Sequence, residues 1–102
     1  MKVFISQPMT GRLKEEILNE RNEVIEILES KYDIEVLDSY FEDYDPQNGS
    51  IPIKYLAKSI DVLAEADVLL CVGDWQNSRG CIVEHECAKQ YGIKIFYWNE
   101  IF

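Results

Sequence analysis

Five consecutive apolar residues, Val68-Leu-Leu-Cys-Val72, stand between Asp67 and Gly73. The run does not alternate with polar residues, so it suits a strand covered on both faces, as in a parallel sheet. Turn formers follow in Asp74-Trp-Gln-Asn-Ser-Arg-Gly80. A helix is predicted next, with Val83, Cys87 and Tyr91 as its core stripe and Gly92 as its stop. Ile93-Lys-Ile-Phe-Tyr97 is the following strand. Together these make one βαβ unit with a right-handed crossover.

The chain before this unit repeats the pattern. Lys2-Val-Phe-Ile-Ser6 is a first strand, and Gln7 to Gly11 is the loop at its carboxyl end. Pro8 and Gly11 bracket a tight turn, and Thr10 is placed to cap the next helix. That helix is expected from Leu13 to about Lys31, with Leu13, Ile17, Val24 and Leu28 near one stripe. Glu15, Glu16, Glu20, Glu23, Glu26 and Glu29 make its other side acidic and read as solvated charges. Ile34-Glu-Val-Leu37 is a second strand. Pro52 to Glu65 is a second helix, with Pro52 in its first turn and Tyr55, Leu56, Ser59, Ile60 and Leu63 inside. The order β-α-β-α-β-α-β predicts an α/β fold: a flavodoxin-like three-layer sandwich with four parallel strands ordered 2-1-3-4. At 102 residues the chain is long enough for a single domain, residues 1–102.

Ligands of open α/β sheets bind outside the carboxyl ends of the strands. Ser78, Arg79, Gly80 and Glu84 fall there, at a helix N-terminus whose free N–H groups and dipole favour an anion. The same field tends to keep Glu84 ionised, as a carboxylate nucleophile needs. The competing reading of Glu84 is a surface residue of a first turn. Ala88, one turn on, is small enough to pack closely on the sheet. The connection from Asp38 to Ile53 is long, and long loops are often functional. It either closes over the pocket, with Tyr40, Phe41 or Tyr44 against a ligand, or lies on the surface with its aromatics tucked in.

The formal net charge of −9 argues against a nucleic-acid polymer or an anionic membrane as partner. A phosphorylated ligand would need a local basic spot, for which Arg79 and Arg12 are the candidates. The chain has no apolar run of about 18 residues and no signal-peptide pattern, so a cytoplasmic protein is expected. Cys71, Cys81 and Cys87 are odd in number and fit reduced thiols. His85 lies beside Glu84, Glu86 and Cys87, but adjacent helical residues point apart, so no metal site is expected. Asp43 and Asp45 lack the spacing of a calcium loop.

Gly80, Glu84 and Ala88, together with Phe4-Ile-Ser-Gln-Pro-Met-Thr-Gly11, resemble the nucleoside 2-deoxyribosyltransferase superfamily. The pairing of Ser-x-Pro-Met-Thr-Gly with Trp-x-x-Ser-Arg-Gly is most similar to a small, functionally unassigned branch found in phage and bacterial genomes. The resemblance implies that Glu84 is the nucleophile and that Asp61 orients the sugar. It implies that Ser6, Gln7, Pro8, Met9 and Gly11 shape the pocket, and that Ser78, Arg79 and Gly80 bind substrate beside Glu84. It implies no cofactor. Asp67 reads as a strand-end residue. A homodimer or higher homo-oligomer is expected, with Trp98 and Asn99 at a subunit interface.

The chain departs from that superfamily in two places. Ser78 stands where the free-nucleoside enzymes carry an aspartate, and the first loop lacks their tyrosine. A serine can donate to a phosphate that an aspartate would repel, so the expectation moves toward nucleoside 5′-monophosphates. The reaction expected is N-glycosidic cleavage or deoxyribosyl transfer by double displacement. The alternative, from another class, is a nucleotide-binding or sensing module without turnover. A third is a dimeric structural module. An acidic receiver pocket would need carboxylates after the first strand, where this chain has Ser6-Gln-Pro-Met9. Fold alone does not choose among these.

Overall fold

The computed structural model describes residues 1–101. Four parallel strands form one sheet: β1 (Lys2–Ser6), β2 (Glu35–Val36), β3 (Val68–Cys71) and β4 (Lys94–Tyr97). Their order is β2-β1-β3-β4, as the sequence predicts. Val3 pairs with Val68 and Ser6 with Cys71, so β1 and β3 run in register at the centre. Asp67 ties their starts together: its carboxylate accepts from the Lys2 amide at 2.7 Å, and its own amide donates to the Lys2 carbonyl.

The pleat sorts the central residues onto two faces. Val3, Ile5, Val68, Leu70 and Val72 share one cluster with Val24 and Leu28 of α1 (Lys14–Lys31). Phe4, Leu69 and Cys71 point the other way. They meet Leu63 of α2 (Ile51–Leu63) and Ala88 of α3 (Arg79–Gln90). Helices therefore cover both faces, which is why the β3 run tolerates no polar residue. A 3-10 turn, Trp75–Asn77, links β3 to α3.

Several local expectations change. The buried residues of α3 are Cys81, Glu84 and Ala88; of the expected stripe, Cys87 does pack on the α2/α3-side cluster, but Val83 and Tyr91 do not. Val83 is 39% exposed and Tyr91 85%. The helix has turned the small residues Cys81 and Ala88 to the sheet, because close approach to β3 excludes bulk, and Glu84 comes inward with them. Gly92, with φ 76°, lets Ile93 N–H reach the Ala88 carbonyl at 2.9 Å and closes the helix. In α1 the buried stripe is Ile17, Arg21, Val24 and Leu28. Leu13 is exposed and is the N-cap residue, so Thr10 does not cap this helix. The Met9–Arg12 turn, with Gly11 at φ 77°, separates Thr10 from it.

Trp98 packs against the α1-side cluster. It opens α4 (Trp98–Ile101), where the sequence suggested an interfacial tail. The last residue of that tail, Phe102, lies outside the described residues. Among the described residues no helix is long and apolar enough to cross a membrane.

Candidate active site

Ser6 closes β1 on the α2/α3 face, one pleat beyond Phe4. Glu84 comes down from the inner side of α3 to meet it. The Ser6 hydroxyl donates to Glu84 Oε1 at 2.7 Å, bridging two residues 78 apart in sequence. Glu84 is 8% exposed, so the surface-glutamate reading does not hold. The Ser59 hydroxyl of α2 also stands near enough to this carboxylate to favour its ionised form.

These residues border a cavity of about 660 Å³ at the carboxyl end of the sheet. Its floor includes Phe4 and Ile5, and its walls come from the first loop, the loop after β2, the first half of α2 and the start of α3. Among the described residues Glu84 is the only carboxylate that lines it and Arg79 the only cation. Ser78, Gly80 and Cys81 line it beside Arg79. Ser78 precedes α3 without capping it through its side chain, and the first turn of α3 carries no acid. The N-terminal N–H groups of α3 therefore add positive potential at this wall.

Burial pushes the Glu84 carboxyl up to about 7, against the pull of the Ser6 and Ser59 hydroxyls. The expectation that the helix field keeps Glu84 ionised is thus corrected. Glu84 is the sixth residue of α3, past the turn where the dipole acts strongly, and desolvation prevails. Burial likewise raises the Cys81 thiol, opposed by the Ser6 and Ser78 hydroxyls, and lifts Cys71 to about 12. Both thiols are therefore held protonated.

Of the residues singled out from the sequence, Glu84, Gln7, Met9, Ser78, Arg79 and Gly80 line the cavity. Ser6 joins them through its bond to Glu84. Pro8 and Gly11 do not line it; they shape the turn that carries Met9 and Thr10. Asp61 is exposed and outside the lining, so the structure does not bring it to Glu84. Helical geometry is the reason: Ser59, two residues earlier, takes the inward side, and Asp61 turns away from it. Arg12 is also no free cation. It donates to the Pro8 carbonyl and pairs with Glu20 at 2.9 Å.

The loop after β2 answers to both readings made of it. Ser39, Tyr40 and Phe41 line the cavity. Tyr44 instead packs edge-on against Tyr55, with ring centroids 5.1 Å apart, and the Lys58 ammonium lies over both Phe41 and Tyr44. Arg21 anchors the start of this loop. From a site 6% exposed it donates to the Leu37 carbonyl and the Ser39 hydroxyl, each at 2.9 Å. Ser39 passes its own proton to the Ile5 carbonyl.

Ser59, Ser39 and Cys81 are site residues that the sequence reading did not assign. The available signal was a small polar residue at an otherwise apolar position, as at Ser59 between Leu56 and Leu63. His85, weighed as a metal ligand, stacks on Trp75 at 4.3 Å and meets the Tyr97 hydroxyl at 2.7 Å. Among the described residues no three of His, Cys, Asp and Glu are grouped to hold a metal ion.

The Ser6 bond to Glu84 is open to direct measurement. Ser6→Ala should raise the Glu84 pKa further, because it removes a donor to the ionised form. It should also destabilise the fold above neutral pH by about 1.5–3 kcal/mol. Titration of the Glu84 carboxyl by carbon-detected NMR reads the first effect, and an unchanged or lowered pKa would contradict the assignment.

No curated protein and no solved structure matches the chain significantly. A family model does match, over residues 1–97, which takes in every strand, both cavity-lining loops and α3. The chain therefore belongs to the family described as Domain of unknown function (DUF4406).

Proposed function

We propose that the cavity binds a nucleoside or nucleoside 5′-monophosphate and that Glu84 is the nucleophile for N-glycosidic cleavage or deoxyribosyl transfer. One observation carries this reading: among the described residues the only carboxylate lining the cavity is buried, and it is held at 2.7 Å by a hydroxyl from the end of β1. A carboxylate so placed has few rotamers left and is kept from bulk water, as a covalent catalyst requires.

In the first step Glu84 attacks the anomeric carbon. A C–O bond forms as the C–N bond breaks, and the base leaves with the electron pair and takes a proton from solvent. In the second step water, or another base, attacks the same carbon, the carboxylate leaves, and the incoming nucleophile loses a proton. Ser78, Arg79 and the start of α3 support a phosphate subsite. They supply hydroxyl, guanidinium and N–H donors with no acid in that turn.

The reading is tested by chromatographic detection of free base. The panel is deoxynucleosides, ribonucleosides and their 5′-monophosphates, each with and without an acceptor base. Base release, greatest from monophosphates, is expected. Absence of release from every substrate would reject turnover. The second reading, a nucleotide-binding module without chemistry, would then stand. It is favoured by one observation: Asp61 is exposed, so no second carboxylate orients a sugar in the cavity. Thermal shifts with the same panel would show it.

A further inference from the structure

Glu20 stands on α1, which covers the face of the sheet opposite α2 and α3. From there it holds the first loop. Its Oε1 accepts from Gln7 Nε2 and from the Arg12 guanidinium, each at 2.9 Å. The same Arg12 nitrogen grips the Pro8 carbonyl at 2.9 Å, and the Arg12 amide closes the turn on the Met9 carbonyl at 3.2 Å. Gln7 Nε2 also donates to the Ile17 carbonyl at 3.2 Å. The chain leaving β3 flanks this brace: a Cβ on Gly73 would lie 3.7 Å from Pro8 Cδ and 3.8 Å from Glu20 Oε2. Glu20, read from sequence as a solvated charge, is the hub of the network.

These bonds add little to the core. Met9 is half-buried and Thr10 exposed, and the Arg12 and Glu20 side chains are 27% and 30% exposed. What the bonds fix is a wall: Gln7, Met9 and Thr10 line the cavity, while Arg12 and Glu20 do not. Gln7 points the same way. Its Oε1 is buried without a hydrogen-bond partner among the described residues, which costs free energy. An apolar side chain in its place would leave neither partner of Nε2 unpaired. The Ile17 carbonyl keeps its bond within α1, and Glu20 keeps Arg12. The use of the amide therefore lies in what its nitrogen holds, the first loop, rather than in stability.

We infer that Glu20 and Arg12 are positioning residues for the cavity: through Gln7 and Pro8 they hold Met9 and Thr10 in the one arrangement that a ligand meets. The effect on affinity rests on the cavity being a ligand site, as proposed above; the positioning itself does not. A preformed wall binds more tightly than one the ligand must order, in proportion to the fraction of molecules that already have the right shape.

The test uses the full chain with isotope-labelled methionine and valine methyls. Met1 and Met9 are the only methionines, so the Met9 signal is read without overlap. It should be single and narrow in the ligand-free wild type. Glu20→Ala should broaden or divide it, while the signals of the buried Val3 and Val72 stay in place. Glu20→Gln keeps an acceptor oxygen for both donors and should keep the wild-type signal. Calorimetry then follows 2′-deoxyadenosine 5′-monophosphate in the Glu84→Gln background, which stops turnover. If about a tenth of Glu20→Ala molecules keep the wild-type Met9 signal, affinity should fall about tenfold, and Glu20→Gln should stay within about twofold of its parent. Charge alone predicts the reverse, since both variants remove a negative charge and would bind an anion more tightly. An unchanged Met9 signal in Glu20→Ala, an affinity that does not follow that signal, or equal tightening in both variants would each overturn the inference. Should Glu20→Ala lose its core signals, Arg12→Met breaks the brace from its other end and decides: the same Met9 change upholds the inference, and no change overturns it. If no nucleotide binds, the nucleotide reading fails separately, and the ligand-free Met9 signal alone decides the positioning.

Discussion

Glu84→Ala should lower base release by a thousandfold or more, on the order seen when a nucleophile is removed. KM for the same substrate should change far less, because the carboxylate contributes mainly in the transition state. Single-turnover assays of the two proteins read this directly, and a variant within tenfold of wild type would remove Glu84 from the mechanism. The pH profile gives a second reading. Only the ionised carboxylate attacks, and burial holds its pKa at about 7. The value of kcat/KM should therefore rise with pH and level off above about 7.

The same burial makes a stability prediction with a definite sign. The folded pKa of about 7 lies above the reference value of 4.5, so between them the folded state holds a proton the unfolded chain has lost. Stability is then greatest below 4.5 and falls as pH rises through 7. The full cost of burying the charge is about 3 kcal/mol. Glu84→Gln cannot ionise, so it should be more stable than wild type by up to that amount at about pH 8. The gain should vanish in acid. Urea denaturation across this range measures it, and equal stability at both ends would mean that Glu84 is not buried as an acid. A residue that costs stability where it is needed for reaction is a common feature of active sites.

Arg21→Met should have the largest effect on the fold. Arg21 is buried in the α1 stripe and makes two charge-assisted bonds that hold Leu37 and Ser39 against the end of β1. Burial lowers its pKa and the charge of Asp38 opposes this; the group remains a cation at any working pH. Methionine fills much of the volume but leaves the Leu37 carbonyl without this donor. Loss of about 3 kcal/mol is expected, a fall of roughly 15 °C in the midpoint for a chain of this size. Hydrogen exchange should increase across residues 38–41 before the sheet is affected, since these residues gain order from the Arg21 anchor. Ligand affinity should fall with them, because Ser39, Tyr40 and Phe41 wall the cavity. Unchanged exchange there would mean that the loop is held by its packing on α2 alone.

Much of this architecture is legible in one dimension. An unbroken apolar run of five between turn formers suits a strand covered on both faces, and strands alternating with helical patterns point to parallel pairing. Strand order 2-1-3-4 is the flavodoxin-like expectation for this element order, and the sheet has it. The placement of Ser78, Arg79 and Gly80 at the cavity follows too, because the carboxyl ends of the strands must hold those turns. What the chain could not reveal is which way each helix faces. In α3, hydrophobicity favoured Val83, Cys87 and Tyr91, but the close approach of helix and sheet selects the small residues Cys81 and Ala88 and carries Glu84 inward with them. In α2, Ser59 is turned in and Asp61 out by the same rotation. The pairings that make the site, Ser6 with Glu84 and Arg12 with Glu20 and Gln7, join residues from different elements. Local sequence fixes a residue's element, and packing against the sheet alone sets its rotation and hence its partner.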